Sequence, residues 1–305
     1  MGACISSAVK GKVGMAKKIL VSGATGNVGQ EVIRALLAAG VEVRGADVDP
    51  QQIQQIFGGE VKAERFLFGD ARTYPAVFRD VEAMFLMRPP QITDIRRYIL
   101  PALDAAIHAG VKRVSFLSLI GIENNTQVPH YQVEQYLKMK GVEYTFLRCS
   151  FFMQNLNTTH LAEIRDRDEI FIPAGKSRTA FIDVRDIGAV AALTLTQPGH
   201  ARRAYDLTGA EALDYWQVAR LFSQSLDRPI KYRNPNGPQY VLRQLREGKG
   251  LLYALITAWL YASTRSGMAE QVTGEVARLL GREPISLRQY VQDYIPVWQK
   301  PAAND

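Results

Sequence analysis

Three glycines at three-residue intervals, Gly23, Gly26 and Gly29, stand between a short apolar run and a helical pattern in Lys18-Ile19-Leu20-Val21-Ser22-Gly23-Ala24-Thr25-Gly26-Asn27-Val28-Gly29. No other feature limits the fold as tightly. Ile19, Leu20 and Val21 read as a buried strand, and Val28, Val32, Ile33, Leu36 and Leu37 recur at helical spacing after it. In that context each glycine has a purpose: Gly23 permits the tight turn, Gly26 lets backbone approach a phosphate, and Gly29 lets the helix lie close on the strand. The helix start then offers unpaired N–H groups and a partial positive charge to an anion, so the segment from Gly23 through Thr25, Asn27 and Val28 to Gly29 reads as a diphosphate cradle. An ordinary strand-to-helix turn is the structural alternative.

A second strand, Val41-Glu42-Val43-Arg44-Gly45-Ala46-Asp47, ends in an acid eighteen residues past Gly29. Dinucleotide-binding folds place the carboxylate for the adenosine ribose at about this distance. A carboxylate there accepts from the ribose hydroxyls and repels a 2′-phosphate, so Asp47 argues for NAD, with NADP the alternative. No basic residue directly follows Asp47. Asp47 could also serve only to cap the turn before Asp49-Pro50.

The pattern then alternates as a parallel sheet with right-handed crossovers requires. Strands are expected at Glu64 to Phe68, Ala83 to Met87, Val114 to Leu117 and Tyr144 to Leu147. Helices are expected around Tyr74 to Phe78, from Thr93 to Ala109 with Gly110 closing it, and from His130 to Met139. The expected class is therefore α/β, a Rossmann-type doubly wound parallel sheet with a smaller, mainly helical C-terminal substrate lobe. The divisions read as a tail over 1–16, a dinucleotide-binding domain over 17–155, a lobe over 156–300 with segments returning to the sheet, and a tail over 301–305. In the lobe, strands are expected at Phe171 to Pro173, Thr179 to Ile182 and Ala204 to Leu207. Helices are expected from Ile187 to Leu195, Trp216 to Ser225, Pro238 to Arg246, Leu251 to Ser263, Gly267 to Leu280 and Ser286 to Tyr294, and Asp183 and Asp186 read as caps.

Ligands of such sheets lie beyond the carboxyl ends of the strands. That rule selects Asp70, Arg88, Pro89, Ser118 and Phe152 as further cofactor-side residues, with Asp70 a candidate acceptor for the adenine amine. Asp70 reads equally well as a turn cap.

The formal charge of +7 is scattered among acids rather than gathered in blocks, so nucleic acid is not implied. Two cysteines, Cys4 and Cys149, exclude a disulfide framework and fit a reducing, cytoplasmic setting, and no Cys/His cluster suggests a metal. The longest apolar stretch, Leu251 to Ala262, is too short to cross a bilayer and reads as a buried or interface helix, with a membrane-surface role the weaker alternative. Met1-Gly2-Ala3-Cys4-Ile5-Ser6 matches an acylation pattern, so a membrane enters only if Gly2 and Cys4 are modified. The plainer reading is an upstream extension before Met15. The expected partner is a small-molecule substrate, and a homo-oligomer is compatible with the sequence.

Several segments together resemble the NmrA-like family of atypical short-chain dehydrogenases/reductases from Lys17 onward. They are Gly23 to Gly29, Met84 to Pro90, Phe116 to Leu119, His130 to Glu134, Tyr144 to Arg148 and Phe151 to Asn155. The resemblance implies an NAD(P)-binding protein that is either a reductase of small acceptors such as quinones or a dinucleotide sensor acting through a protein partner. In the wider superfamily a Ser, a Tyr and a Lys four residues after the Tyr reduce carbonyls. Ser118 matches the serine, but Thr126 falls at the Tyr position and His130 at the Lys position. Tyr136 and Lys140 have the spacing but stand at the far end of their helix, and Tyr131 is followed by Gln135 where a lysine would be. His130, Tyr131 and Ser118 are thus the catalytic candidates, His130 because an unperturbed imidazole titrates near pH 7. Cys149 stands where the family usually has proline, and it reads as a buried, inert thiol. The expected activity is hydride transfer from NAD(P)H to a conjugated acceptor, which needs little proton assistance; the alternative is redox sensing without chemistry.

Overall fold

A computed structural model describes residues 18–300. The expected N-terminal motif at Gly2 and Cys4 lies outside the described residues. Seven strands form one wholly parallel sheet: β1 (Lys18–Ser22), β2 (Glu42–Asp47), β3 (Lys62–Arg65), β4 (Ala83–Leu86), β5 (Arg113–Leu119), β6 (Glu143–Cys149) and, after two short lobe strands, β9 (Arg203–Leu207). Their spatial order is β3-β2-β1-β4-β5-β6-β9, so the winding reverses between β1 and β4. The crossover helices are α1 (Asn27–Ala38), α2 (Pro50–Phe57), α3 (Tyr74–Phe78), α4 (Ile95–His108) and α5 (Pro129–Lys140).

β1 is a continuous apolar run because both of its faces are covered. Ile19 and Val21 join one core with the buried faces of α1 and of α8 (Val184–Thr196). Leu20 points the other way, into a core with Met84, Phe116 and residues of α3, α4 and α5. The switch point is stitched by Ser22, whose hydroxyl accepts from the Met87 amide at 2.9 Å and donates to the Phe85 carbonyl at 3.2 Å.

Two short helices, α6 (Gln154–Asn157) and α7 (Leu161–Arg167), follow β6 and precede β7 (Glu169–Ile170) and β8 (Arg178–Thr179). After β9 come β10 (Leu213–Asp214), α9 (Tyr215–Leu226), β11 (Lys231–Tyr232), α10 (Gly237–Arg246) and α11 (Leu251–Ser263). The chain closes with α12 (Glu275–Leu280), α13 (Leu287–Asp293) and α14 (Ile295–Trp298). A third core, from Met153 to Trp298, holds this lobe together. The halves are not separable at residue 155, because α8 lies on α1 and β9 extends the sheet.

The structure moves several boundaries. β3 lies two residues before the expected run, because Phe66 leaves the strand to pack with Phe68, Tyr74 and Phe78. Phe171 to Pro173 lies beyond β7, which pairs only over Glu169 and Ile170, and β8 stops at Thr179. Residues 267–274 are turn and coil, since Gly267 takes φ +81° and ends the preceding helical turn. Asp183 caps α8 through the Arg185 amide, and Asp186 accepts from the Ile285 amide at 2.8 Å.

Candidate functional site

The glycine turn sits at the reversal point of the sheet, and each glycine has a distinct neighbourhood. Gly23 has φ +66°, a left-handed turn, and a side chain there would run into the Met87 methyl at 2.0 Å. A Cβ on Gly29 would lie 2.0 Å from the Gly23 carbonyl oxygen, inside the turn itself. Gly26 is different: its nearest neighbours would be the Met87 methyl at 3.3 Å and the Gly23 oxygen at 3.4 Å. Packing alone therefore comes close to admitting a side chain at that position. As the N-cap of α1, Gly26 offers no side chain to the helix amides, which leaves the first turn around Asn27 and Val28 open to an anion.

Asp47 is bound back to this loop. Its Oδ2 accepts from the Thr25 amide at 2.9 Å and the Thr25 hydroxyl at 2.7 Å, and Oδ1 accepts from the Val48 amide at 2.8 Å. A carboxylate has about four acceptor sites, so room for a sugar hydroxyl remains. The carboxylate therefore fixes the loop. Register puts Arg65 of β3 directly alongside Asp47, on the same face of the sheet and exposed. The local sequence after Asp47 gave no sign of this cation, which arrives from the next strand. Asp70 forms a two-pronged pair with Arg72, both contacts 2.8 Å, and caps the turn of residues 71–73. The Arg72 side chain holds its carboxyl below the usual range.

On the other side of the reversal point, Arg88 turns inward and donates to the carbonyls of Pro89 at 2.9 Å, Pro90 at 3.3 Å and Ile92 at 2.6 Å, shaping the β4–α4 loop. His130, in the first turn of α5, packs on the Phe116 ring at 5.9 Å. Burial, with the Arg88 charge as a second cause, pushes its pKa down to about 3. The expectation of an imidazole titrating near neutrality is thereby corrected: His130 stays uncharged at physiological pH. Three buried polar atoms at these strand ends have no partner among the described residues: His130 Nδ1, Arg88 Nε and Ser150 Oγ. Polar atoms left bare inside a protein are rare, and these three lie in the segments that follow the adjacent strands β4, β5 and β6.

Ser118 is fully buried and donates to Glu134 Oε1 at 2.7 Å. Glu134, itself without exposure, also takes Arg148 two-pronged at 3.0 and 2.7 Å, and Arg148 reaches on to Glu123 at 2.9 Å. This array joins β5, α5 and β6 behind the rim and is invisible to local sequence reading. Tyr131 is half-buried. Tyr136 and Lys140 gather instead around Asp104 of α4, with Lys140 2.7 Å from its carboxylate. Phe152 pairs in a single bridge with Ile182 at the β6 end. Cys149 is buried, which pushes its thiol up and leaves it inert. Among the described residues, no group of three metal-ligating side chains occurs.

The NmrA-like family model matches residues 15–290. The chain belongs to the NmrA-like family. It is 30% identical over 282 residues to an NAD(P)H azoreductase of Xenophilus azovorans, covering 90% of this chain and 96% of that protein. Among solved structures it resembles an NADPH-dependent quinone oxidoreductase of Escherichia coli complexed with NADPH, with a TM-score of 0.79, 21% identity, and coverage of 91% and 99% of the two chains. A Citrobacter triphenylmethane reductase complexed with NADP(H) superposes with the same TM-score and identity, covering 90% of this chain and 99% of its own. At that identity the likeness establishes the shared fold.

Proposed function

We propose that this NmrA-like protein is a cytoplasmic NAD(P)H-dependent oxidoreductase that reduces small conjugated acceptors of the quinone or azo type. The observation that carries the reading is the turn at the sheet's reversal point. It has a left-handed Gly23, a Gly29 that admits no Cβ, and a Gly26 whose nearest prospective neighbours stand at 3.3 and 3.4 Å, leading into an uncapped helix start. These residues fit a pyridine dinucleotide, which when bound supplies hydride from its nicotinamide ring. The amides after Gly26 hold the diphosphate, Thr25 and Asp47 fix the loop and meet the ribose, and Arg65 offsets the repulsion that Asp47 alone exerts on a 2′-phosphate. Both coenzymes are thus accepted, in keeping with the azoreductase relative.

Past the diphosphate, Arg88, His130, Tyr131 and Phe152 line the acceptor's side of the rim. Neutral His130 orients by hydrogen bonding and does not deliver a proton from a cation. The half-buried Tyr131 phenol or water supplies the proton that follows hydride arrival. Ser118 is held by Glu134 and acts as a positioning residue for α5 unless coenzyme binding frees its hydroxyl.

The test is coenzyme consumption by pure protein with a panel of quinones, azo dyes and aldehydes, beside titration of NADH and NADPH binding. Turnover on quinones or azo dyes with both coenzymes is expected. Binding without turnover on any acceptor overturns the enzyme reading, and no binding at millimolar coenzyme overturns the site.

A further inference from the structure

The hairpin of α10 and α11 has a surface that the redox chemistry does not use. α11 holds thirteen residues, Leu-Leu-Tyr-Ala-Leu-Ile-Thr-Ala-Trp-Leu-Tyr-Ala-Ser, without a charge. Only Ala254 and Tyr261 are buried, with Tyr261 anchored by a 2.6 Å hydrogen bond to His160. Leu251, Leu252, Leu255, Ile256, Trp259 and Leu260 all stand exposed, Leu252 at 71% and Trp259 at 62%. The sequence expectation of a buried or interface helix is half corrected: apolar composition did not bring burial within this chain.

At about 100° per residue those six side chains fill an arc of about 180°. A helix seated on a rigid partner buries a stripe of roughly 100°. A convex ridge this wide is only partly covered by a second copy, whereas a fluid interface conforms to it. Tyr253 and Trp259 are the side chains that favour a boundary between water and hydrocarbon.

The second observation lies along α10. A cavity of about 880 Å³ there is lined by Arg167, Arg233, Gln239, Leu242, Arg243 and Arg246, among others. Glu169 pairs with Arg243 at 2.6 Å and Arg233 at 3.1 Å, while Glu247 pairs with Arg167 at 2.7 Å and Lys249 at 3.5 Å. Four cations therefore share two carboxylates, and a fifth, Arg246, is exposed with no ion pair among the described residues. Leu242 both lines this cavity and stands exposed, so the apolar and cationic surfaces meet on α10.

We propose that the α10–α11 hairpin docks in the plane of an anionic lipid bilayer, with the α11 ridge at the headgroup–acyl boundary and the arginine cavity receiving lipid phosphates. Among the described residues no helix is long and apolar enough to cross a membrane, so the contact is peripheral. The proposal stands independently of the redox reading.

The test is sedimentation of the unacylated full-length chain with vesicles of phosphatidylcholine alone or mixed with phosphatidylglycerol. Two variants accompany it, Arg246→Glu and the triple Leu252→Ser/Ile256→Ser/Trp259→Ser, each checked for unchanged melting and coenzyme binding. Expected are binding to the anionic vesicles that salt weakens, a loss of about tenfold on neutral vesicles, and a loss of at least about tenfold in the triple variant. Arg246→Glu, an exposed change, keeps the test valid should the triple variant fold poorly, and it should weaken anionic binding several-fold. Absence of binding to anionic vesicles, or binding unchanged in Arg246→Glu and in the folded triple variant, overturns the proposal. So does a wild-type dimer that the triple variant dissociates, since a second copy would then own the ridge. Reductase turnover on water-soluble acceptors should be unchanged throughout, which separates this failure from failure of the redox reading.

Discussion

Gly26→Ala and Gly29→Ala add the same methyl group three residues apart, and the structure assigns them opposite consequences. At Gly29 the new carbon would lie 2.0 Å from the Gly23 carbonyl oxygen and 2.8 Å from its carbonyl carbon. Ordinary contact needs about 3.4 Å, so α1 must retreat from the turn by more than about 1 Å. It has no free space to retreat into. Gly188 of α8 lies so close to α1 that a Cβ there would meet the Glu31 backbone at 2.6 Å, and Val28, Val32, Ile33 and Leu36 are locked in the core. Overpacking of this kind costs about 2 to 3 kcal/mol, which in a chain of 305 residues lowers the melting temperature by roughly 3 to 5 °C. At Gly26 the methyl would meet only the flexible end of Met87 at 3.3 Å and an oxygen at 3.4 Å, so melting should move by no more than about 1 °C. The same methyl would stand at the helix start proposed to take the diphosphate, and coenzyme affinity should fall at least tenfold, about 1.4 kcal/mol. Differential scanning fluorimetry and titration of NADPH fluorescence read the two effects separately. A Gly26→Ala protein that binds coenzyme within threefold of wild type refutes the cradle; a Gly29→Ala protein with unchanged melting refutes the packing argument.

Arg148→Met should destabilise by about 3 to 5 kcal/mol, more than Glu134→Gln, because the latter leaves Arg148 its Glu123 partner while the former strands a carboxylate with only the Ser118 hydroxyl; urea unfolding at neutral pH ranks them. His130 resists protonation in the fold until about pH 3, whereas an unfolded chain protonates near 6.5, so the stability it contributes is complete above about pH 6.5 and declines as pH falls toward 3. Between pH 7.5 and 5 the wild type should lose about 2 kcal/mol more than His130→Asn, and equal losses in urea melts would remove the burial argument. Arg65→Glu should lower affinity for NADPH by about tenfold and leave NADH within twofold; a parallel loss of both in direct titrations would show that Arg65 does not sense the 2′-phosphate.

The first half of the chain was largely legible because its parallel strands, covered on both faces, are short apolar runs between helical periods, and because a glycine turn has few alternatives. What stayed hidden depends on residues distant in sequence. Arg44 looks like an exposed strand cation, yet it is buried and donates at 2.8 Å to the carbonyls of Ala76, Val77 and Arg79, more than thirty residues onward. Ser22, Arg65 and the Glu134–Arg148 pair acquire their roles only through sheet register and packing. The place of His130 at the start of α5 is legible from spacing, but its charge state is not, since burial and Arg88 are tertiary facts. The lobe was less legible for a related reason: its strands pair over two residues each, too short to leave an alternation, and α11 breaks the rule that apolar helices are covered.

Helix α1 serves two neighbours at once. Its amino end follows the glycine turn, while its flank at Glu31 accommodates Gly188, more than 150 residues later. Cutting the chain after residue 155 would strip that flank bare, so the nucleotide-binding half cannot be expected to survive as a free-standing module. Any fragment meant to bind coenzyme would have to carry α8 and β9 with it.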